Sequence, residues 1–145
     1  MSIAITSSWS MAPAAVNLKL AGEGISRQAH GLRAKILQVD QWVQETPLRA
    51  VEIHPEVSFA CLAGVPLEAS KSTWAGAARR RQLLAGAGIV LPEDLGPAAE
   101  KAGVDDILDA AVAAWTARRV AGGQARPVPD SPEVFSDGLP CAIWT

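Results

Sequence analysis

A carboxylate and an imidazole lie two residues apart in the segment EIHPE (residues 52–56). Alternate side chains of an extended strand share one face, so Glu52 and His54 would lie side by side. Such a pair can bind a metal ion or act in acid–base catalysis, because histidine titrates near neutral pH. The alternative is that both side chains make structural hydrogen bonds at the end of a strand.

A second acidic cluster begins the last long helical pattern of the chain and consists of Asp105, Asp106 and Asp109. Spacings of three and four residues place Asp109 on a common helix face with the other two. Oxygen ligands of this kind suit a hard divalent cation such as Mg²⁺. Helix capping and the helix dipole are the alternative for Asp105, but Asp109 lies a turn further in and is harder to explain in that way.

Basic side chains are concentrated before and within one predicted helix. Lys71 and the run Arg79, Arg80 and Arg81 could contact the phosphates of a nucleic acid. The alternative is a solvated helix face, on which arginine runs are common.

Tryptophan and cysteine give structural rather than chemical predictions. Trp42, Trp74 and Trp115 fall on helical stripes, so we expect them to pack in the core. Cys61 and Cys141 have no neighbours in sequence that would activate a thiol, and we interpret both as inert.

The elements that position these residues follow from apolar periodicity and from the Gly and Pro residues that interrupt it. A β-branched run between Pro47 and Pro55 predicts a single strand, which would have no sheet partner. The predicted elements are a helix over 26–45, a strand over 48–54, a helical turn over 56–62, a helix from 72 or 73 to about 86, a small helix over 93–102, a helix over 105–121, a Pro-rich segment over 124–140 and a short edge strand in CAIWT (141–145).

Composition excludes several classes of protein. A chain of 145 residues with 49% apolar residues suits one domain with a buried core. The formal net charge of -2 excludes a uniformly basic nucleic-acid-binding surface. No apolar run approaches the roughly 18 residues of a membrane helix. The two cysteines and the absence of a basic secretory leader predict a cytoplasmic protein.

Four segments, taken in order, resemble the domain-of-unknown-function family 429. These segments are GEGISRQAHGLRAKILQVD, VEIHPEVSFACLAGVPL, SKSTWAGAARRRQLLAGAGI and GVDDILDAAVAAWTARR. The resemblance runs from about residue 22 to residue 119. It implies an RNase H-like fold and metal-dependent phosphodiester hydrolysis with Mg²⁺ or Mn²⁺.

The resemblance also implies functional residues. Glu52, Asp106 and Asp109 would be catalytic, and Glu52, Asp105 and Asp109 would hold the metal. Apart from the resemblance, the residue types themselves predict that nucleic acid, if bound, would contact His54, Lys71, Arg80 and Arg81.

The resemblance further implies N-terminal strands that carry additional aspartates, and we expect these strands to lie upstream of residue 1. We therefore expect a partial α/β RNase H-like fold that is mostly helical, with an irregular arm over 1–21, the RNase H-like part over 22–123 and a Pro-rich tail over 124–145. With only part of the carboxylate set, the chain should have little or no nuclease activity alone. A start codon assigned too late would restore the missing aspartates.

Two alternatives remain at this stage. The chain could be a binding or scaffold module without chemistry, in which Lys71 and the arginine run contact an anion. It could also self-associate as a homo-oligomer through open strand edges, either at 48–54 or in the CAIWT tail.

Overall fold

The computed structural model describes residues 15, 18–19, 22, 24, 26–97, 99–134 and 138–145, without the side chains of residues 28 and 29. The chain divides into two compact units, residues 1–50 and residues 51–145. Most of the irregular arm predicted for residues 1–21 lies outside the described residues.

The first unit contains helix α1, Arg27–Glu45, which confirms the predicted helix. A side-chain hydrogen bond of 2.7 Å from Gln41 to Glu45 links successive turns. The apolar stripe of α1 is exposed rather than buried, and half of the Trp42 surface is accessible. The prediction that Trp42 packs in a core is therefore wrong.

The second unit contains three helices, α2 (Pro55–Ala63), α3 (Trp74–Gly86) and α4 (Val104–Ala121). Proline occupies the first position of α2, where its missing N–H costs no hydrogen bond, and Gly64 ends the helix at a left-handed φ of 74°. Thr73 caps α3 by accepting a hydrogen bond of 3.1 Å from the Gly76 N–H. Local signals therefore set the bounds of these helices.

The core of the second unit lies where these three helices meet. Fully buried apolar side chains come from each of them, and the buried cluster comprises Phe59, Leu84, Leu108, Ala111, Val112 and Trp115. Four of these residues lie on α4, and Trp115 among them confirms the prediction that it packs in the core. A buried hydrogen bond of 3.1 Å from the Thr116 hydroxyl to the Ser58 hydroxyl satisfies the polar groups that α4 and α2 bring into this core.

Two antiparallel strands follow α4, namely β1 (Pro127–Val134) and β2 (Pro140–Trp144). Pro127 pairs with Trp144 and Val134 with Pro140, with an irregularity of register between Val128 and Glu133. Strand β2 confirms the predicted edge strand. Strand β1 was not predicted, because its prolines are unfavourable in a sheet interior and are tolerated only at edges and bulges.

Two predicted elements are absent from the described residues. Residues 49–54 form no strand, and their link to the sheet is a hydrogen bond of 2.8 Å from the Trp144 N–H to the Glu52 carbonyl. A hydrogen bond of this kind does not by itself establish β-strand pairing. Residues 93–97 and 99–102 form bends, turns and irregular chain instead of a helix, and Asp94 accepts a hydrogen bond of 2.7 Å from the Gly96 N–H.

The described residues thus form a mixed α/β structure, mostly helical with a two-stranded antiparallel sheet. This confirms the predicted fold class at that level.

The guanidinium of Arg80 lies inside the three-helix core, where the residue is only 1% exposed. It donates a hydrogen bond of 2.6 Å to the Glu56 carboxylate on α2. Two further hydrogen bonds, of 3.0 and 3.1 Å, reach the carbonyls of Ala69 and Gly76. The central carbon of the guanidinium, Cζ, lies 5.4 Å from the centre of the Phe59 ring, which is within cation–π distance. Arg80 therefore connects α3 to α2 and to the loop between them.

Replacing Arg80 by alanine should lower the free energy of unfolding by about 2 to 4 kcal/mol, because Glu56 loses its partner and a void opens beside Phe59. Urea denaturation followed by tryptophan fluorescence would measure the change. Arg79→Ala alters the exposed neighbour and should change this free energy by less than about 0.5 kcal/mol. Equal effects of the two substitutions would contradict the role assigned to Arg80.

Candidate functional site

The loop that precedes α3 is held in place by a small set of hydrogen bonds around Thr73. The Thr73 N–H and hydroxyl both donate to the Ser70 carbonyl, at 3.0 and 2.8 Å. The same hydroxyl oxygen accepts from the Gly76 N–H. Thr73 thus links the loop to the first turn of α3. Because Lys71 lies between Ser70 and Thr73, these hydrogen bonds fix its backbone.

Gly76 lets the loop approach the helix closely. A Cβ atom at this position would lie 1.9 Å from the Ser70 carbonyl oxygen, so no other residue fits without moving the backbone. The glycine is thus required by the packing of the loop that carries Lys71.

The side chain of Lys71 reaches α4, where it meets two of the predicted aspartates. Its ammonium donates a hydrogen bond of 2.6 Å to Asp109 Oδ2 and lies 3.7 Å from Asp105 Oδ2. Asp109 Oδ1 is buried and has no hydrogen-bond partner among the described residues. Sequence spacing had grouped the two aspartates, but their contact with Lys71, 38 residues away from Asp109, is a tertiary result.

The hydrogen bond to Asp109 raises the pKa of Lys71 above its ordinary value of 10.5. The charges of Asp109, Asp105 and Glu56 act in the same direction, whereas partial burial acts against them. Lys71 therefore stays protonated at neutral pH and neutralises much of the charge of the aspartate pair.

A cleft of about 790 Å³ opens beside this ion pair, and we call it the α3 cleft. Its walls include Lys71, Trp74 and Arg81 on one side and Val104 and Asp105 on the other. Trp74 is 89% exposed, so the expectation that it packs in the core is wrong. Its indole, which follows the capping Thr73 directly, is available to a ligand in the cleft.

Arg81 lines the α3 cleft and donates a hydrogen bond of 3.1 Å to the Leu91 carbonyl. A guanidinium has further N–H donors, so this bond orients the group and leaves donors for a ligand. Arg80, which the sequence grouped with it, is buried and uses its guanidinium for protein oxygens. Helical spacing thus separates two adjacent arginines into a core residue and a cleft residue.

The remaining predicted site residues lie outside this cluster. Asp106 accepts a hydrogen bond of 3.2 Å from the Gly103 N–H, so Asp106 caps α4, the role that the sequence had offered as the alternative for Asp105. His54 is exposed and occupies the N-cap position of α2 without a side-chain capping bond. The Glu52 side chain is exposed, and its backbone carbonyl accepts the bond from Trp144.

The arrangement does not by itself fit the divalent metal that the resemblance implies. A hard cation requires several oxygen ligands, whereas here one Asp109 oxygen is occupied by the Lys71 ammonium. Within the described part of the chain, no three His, Cys, Asp or Glu side chains come close enough together to hold a metal ion. Glu52, Asp105 and Asp109 therefore do not form a ligand set in this arrangement.

A protein-family model described as "Protein of unknown function (DUF429)" matches residues 3–134. The chain therefore belongs to family 429, which confirms the resemblance of its four segments. No curated protein and no solved structure matches the chain. Among the described residues, no helix has the length and apolar character needed to cross a membrane.

Gly76→Ala should destabilise the second unit by several kcal/mol, because the new methyl group would collide with the Ser70 carbonyl. Gly86→Ala is the matched control, since nothing lies within 4 Å of a Cβ at that position of the same helix. We expect Gly86→Ala to raise the free energy of unfolding by about 0.5 to 1 kcal/mol through helix propensity. Thermal denaturation of both variants checks the pair, and a neutral Gly76→Ala would contradict the packing argument.

Asp109→Asn should lower the pKa of Lys71 toward its ordinary value, because it removes the charged acceptor. The folded-state pKa is raised, so the stabilisation from this ion pair is complete below about pH 10.5 and is lost as the pH rises through the folded-state pKa. In Asp109→Asn this alkaline loss should be smaller. An NMR titration of the Lys71 side chain measures the pKa, and stability measured against pH gives the second readout.

Asp106→Asn is the control, because the Asp106 carboxylate faces the Gly103 N–H. It should leave the pKa of Lys71 unchanged. An identical Lys71 pKa in the wild type and in Asp109→Asn would rule out the assigned ion pair.

Proposed function

We propose that this member of family 429 binds single-stranded nucleic acid in the α3 cleft, with Trp74 stacked on a base. The observation that carries the proposal is the 89% exposure of Trp74 in the wall of a cleft that Arg81 also lines. Indole rings stack on any base, because every base has a π face. A phosphate of the same strand would bind the guanidinium of Arg81.

Because the charges in the α3 cleft nearly balance, a ligand would be held mainly by stacking on Trp74 rather than by electrostatic attraction. Lys71 and Arg81 are opposed by Glu93 and Asp105 in the same walls, and Lys71 is also paired with Asp109. A cleft of nearly balanced charge attracts a polyanion weakly. We therefore expect most of the binding free energy to come from Trp74, and we expect only a shallow dependence on salt.

Occupation of Asp109 by Lys71 supports binding without hydrolysis. The carboxylate that would be the best metal ligand is instead hydrogen-bonded to an ammonium. We derive no metal-dependent step from this arrangement.

Trp74→Ala should weaken the binding of a fluorescently labelled oligothymidine by about 5- to 150-fold, the loss expected from one base–aromatic stack. Fluorescence anisotropy titration measures the change. Trp42→Ala removes a half-exposed tryptophan of the first unit and should leave the affinity unchanged. Equal affinities of the wild type and Trp74→Ala, or no binding by the wild type at low salt, would overturn the proposal.

Arg81→Glu should weaken the binding of the same oligonucleotide. It should also reduce the slope of log affinity against log salt concentration by about 0.7, the value for one phosphate contact to a single strand. Arg79→Glu makes the same charge change at an exposed position outside the walls of the α3 cleft. It should alter the slope much less. A larger effect of Arg79→Glu would place the contact elsewhere.

Metal-dependent hydrolysis with Mg²⁺ or Mn²⁺ is a second candidate, and one observation favours it. Asp109 Oδ1 is buried without a hydrogen-bond partner in the described part of the chain, and Asp105 lines the adjacent cleft. Incubation of labelled single-stranded DNA and RNA with the purified chain and either metal tests it. Cleavage that is lost in Asp105→Asn and Asp109→Asn and kept in Asp106→Asn would favour the hydrolase over the binding module.

A further inference from the structure

The apolar stripe of α1 has the spacing of a coiled-coil seam. Leu32, Ile36, Val39 and Val43 follow one another at steps of four, three and four residues. This alternation corresponds to positions d, a, d and a of a heptad repeat. This spacing places the four side chains on one face of α1 between residues 32 and 43, and the exposed Leu37 and Trp42 lie at positions b and g outside it.

Three of the four side chains of this face are exposed to solvent, and Val43 is half-buried. Leu32, Ile36 and Val39 are 45%, 59% and 56% exposed, although each is a large aliphatic side chain in the middle of a regular helix. Burying such side chains against another surface contributes about 25 cal/mol for each Å² of apolar area. The seam therefore favours association with a partner of matching shape.

Charges beside the seam identify the partner as a second copy of the same helix. Lys35 and Asp40 occupy positions g and e, five residues apart, and both are exposed. In a parallel two-stranded coiled coil, position g of one helix lies next to position e of the following heptad in the other helix. Two-fold symmetry then gives two Lys35–Asp40 pairs of opposite charge, one on each side of the seam.

The residues at position a favour the same arrangement. Ile36 and Val43 at a are β-branched and Leu32 stands at the first d, the combination that favours two strands in parallel coiled coils, while Val39 at the second d departs from it. We infer that α1 forms a parallel two-stranded coiled coil with α1 of a second copy of this chain, in register, with Lys35–Asp40 pairs across the dimer. This interface is independent of the α3 cleft and differs from the strand edges through which self-association was predicted.

Sedimentation of the full-length chain over a range from micromolar to about millimolar concentration tests the inference. The wild type should be a dimer in equilibrium with the monomer. Ile36→Asp should weaken the dimer by about a hundredfold or more, because it would bury two unpaired carboxylates at the seam. Ala34→Asp adds the same charge at position f, away from the seam on the same helix, and should leave the dimer unchanged.

A charge exchange separates loss of the interface from loss of the helix. Lys35→Glu and Asp40→Lys should each weaken the dimer by about two- to tenfold, and the double variant should regain most of the wild-type affinity. Such recovery is expected only if the two residues meet across the dimer. A monomeric wild type, or a dimer that Ile36→Asp leaves intact, would overturn the inference.

Cross-linking tests the parallel orientation. In a chain with Cys61→Ser and Cys141→Ser, Val43→Cys should form an intermolecular disulfide, because position a residues of the two helices face each other in a parallel pair. An antiparallel pair would separate the two thiols by most of the helix length. Dimers that fail to cross-link under mild oxidation would contradict the parallel register.

Discussion

The second unit depends on the burial of one cation, the guanidinium of Arg80, among three helices. Its bonds to Glu56, to Ala69 and to Gly76 connect α2, α3 and the intervening loop at one point. A buried charge is unfavourable without partners, so the loop and both helices must keep these positions together. The conformation of the loop that carries Lys71 follows from this constraint.

Two cations thus have different roles within a short stretch of chain. Arg80 is enclosed by the core, whereas Lys71 lies at the border of the α3 cleft and neutralises the aspartates of α4. The negative charge of Asp105 and Asp109 is consequently balanced in part by a lysine of the same chain. Trp74, which lies between the two cations in sequence, is exposed, whereas Gly76 two residues later packs against the loop.

Local signals in the sequence were sufficient for helices α1 to α4 and strand β2, but they missed strand β1 and predicted a helix over 93–102 and a strand over 48–54 that the structure lacks. Periodicity, Pro55, Thr73 and Gly64 specify α2 and α3 because capping and apolar spacing act over a few residues. Strand β1 contains three prolines and exists only through its pairing with β2. The run at 48–54 had a strand-like composition, but in the structure residues 49–54 form no strand, although the Glu52 carbonyl accepts a hydrogen bond from the Trp144 N–H of that sheet.

By itself the sequence determined helices α1 to α4, the core position of Trp115, the grouping of Asp105 with Asp109 on one helix face and membership of family 429. Only the tertiary structure decided that Arg80 is buried while Arg81 lines a cleft, that Lys71 pairs with Asp109, and that Trp74 is exposed. The physical reason is the distance along the chain over which each interaction acts. Helix propensity and capping depend on neighbours in sequence, whereas burial and ion pairing depend on which distant segments the packing of the core brings together.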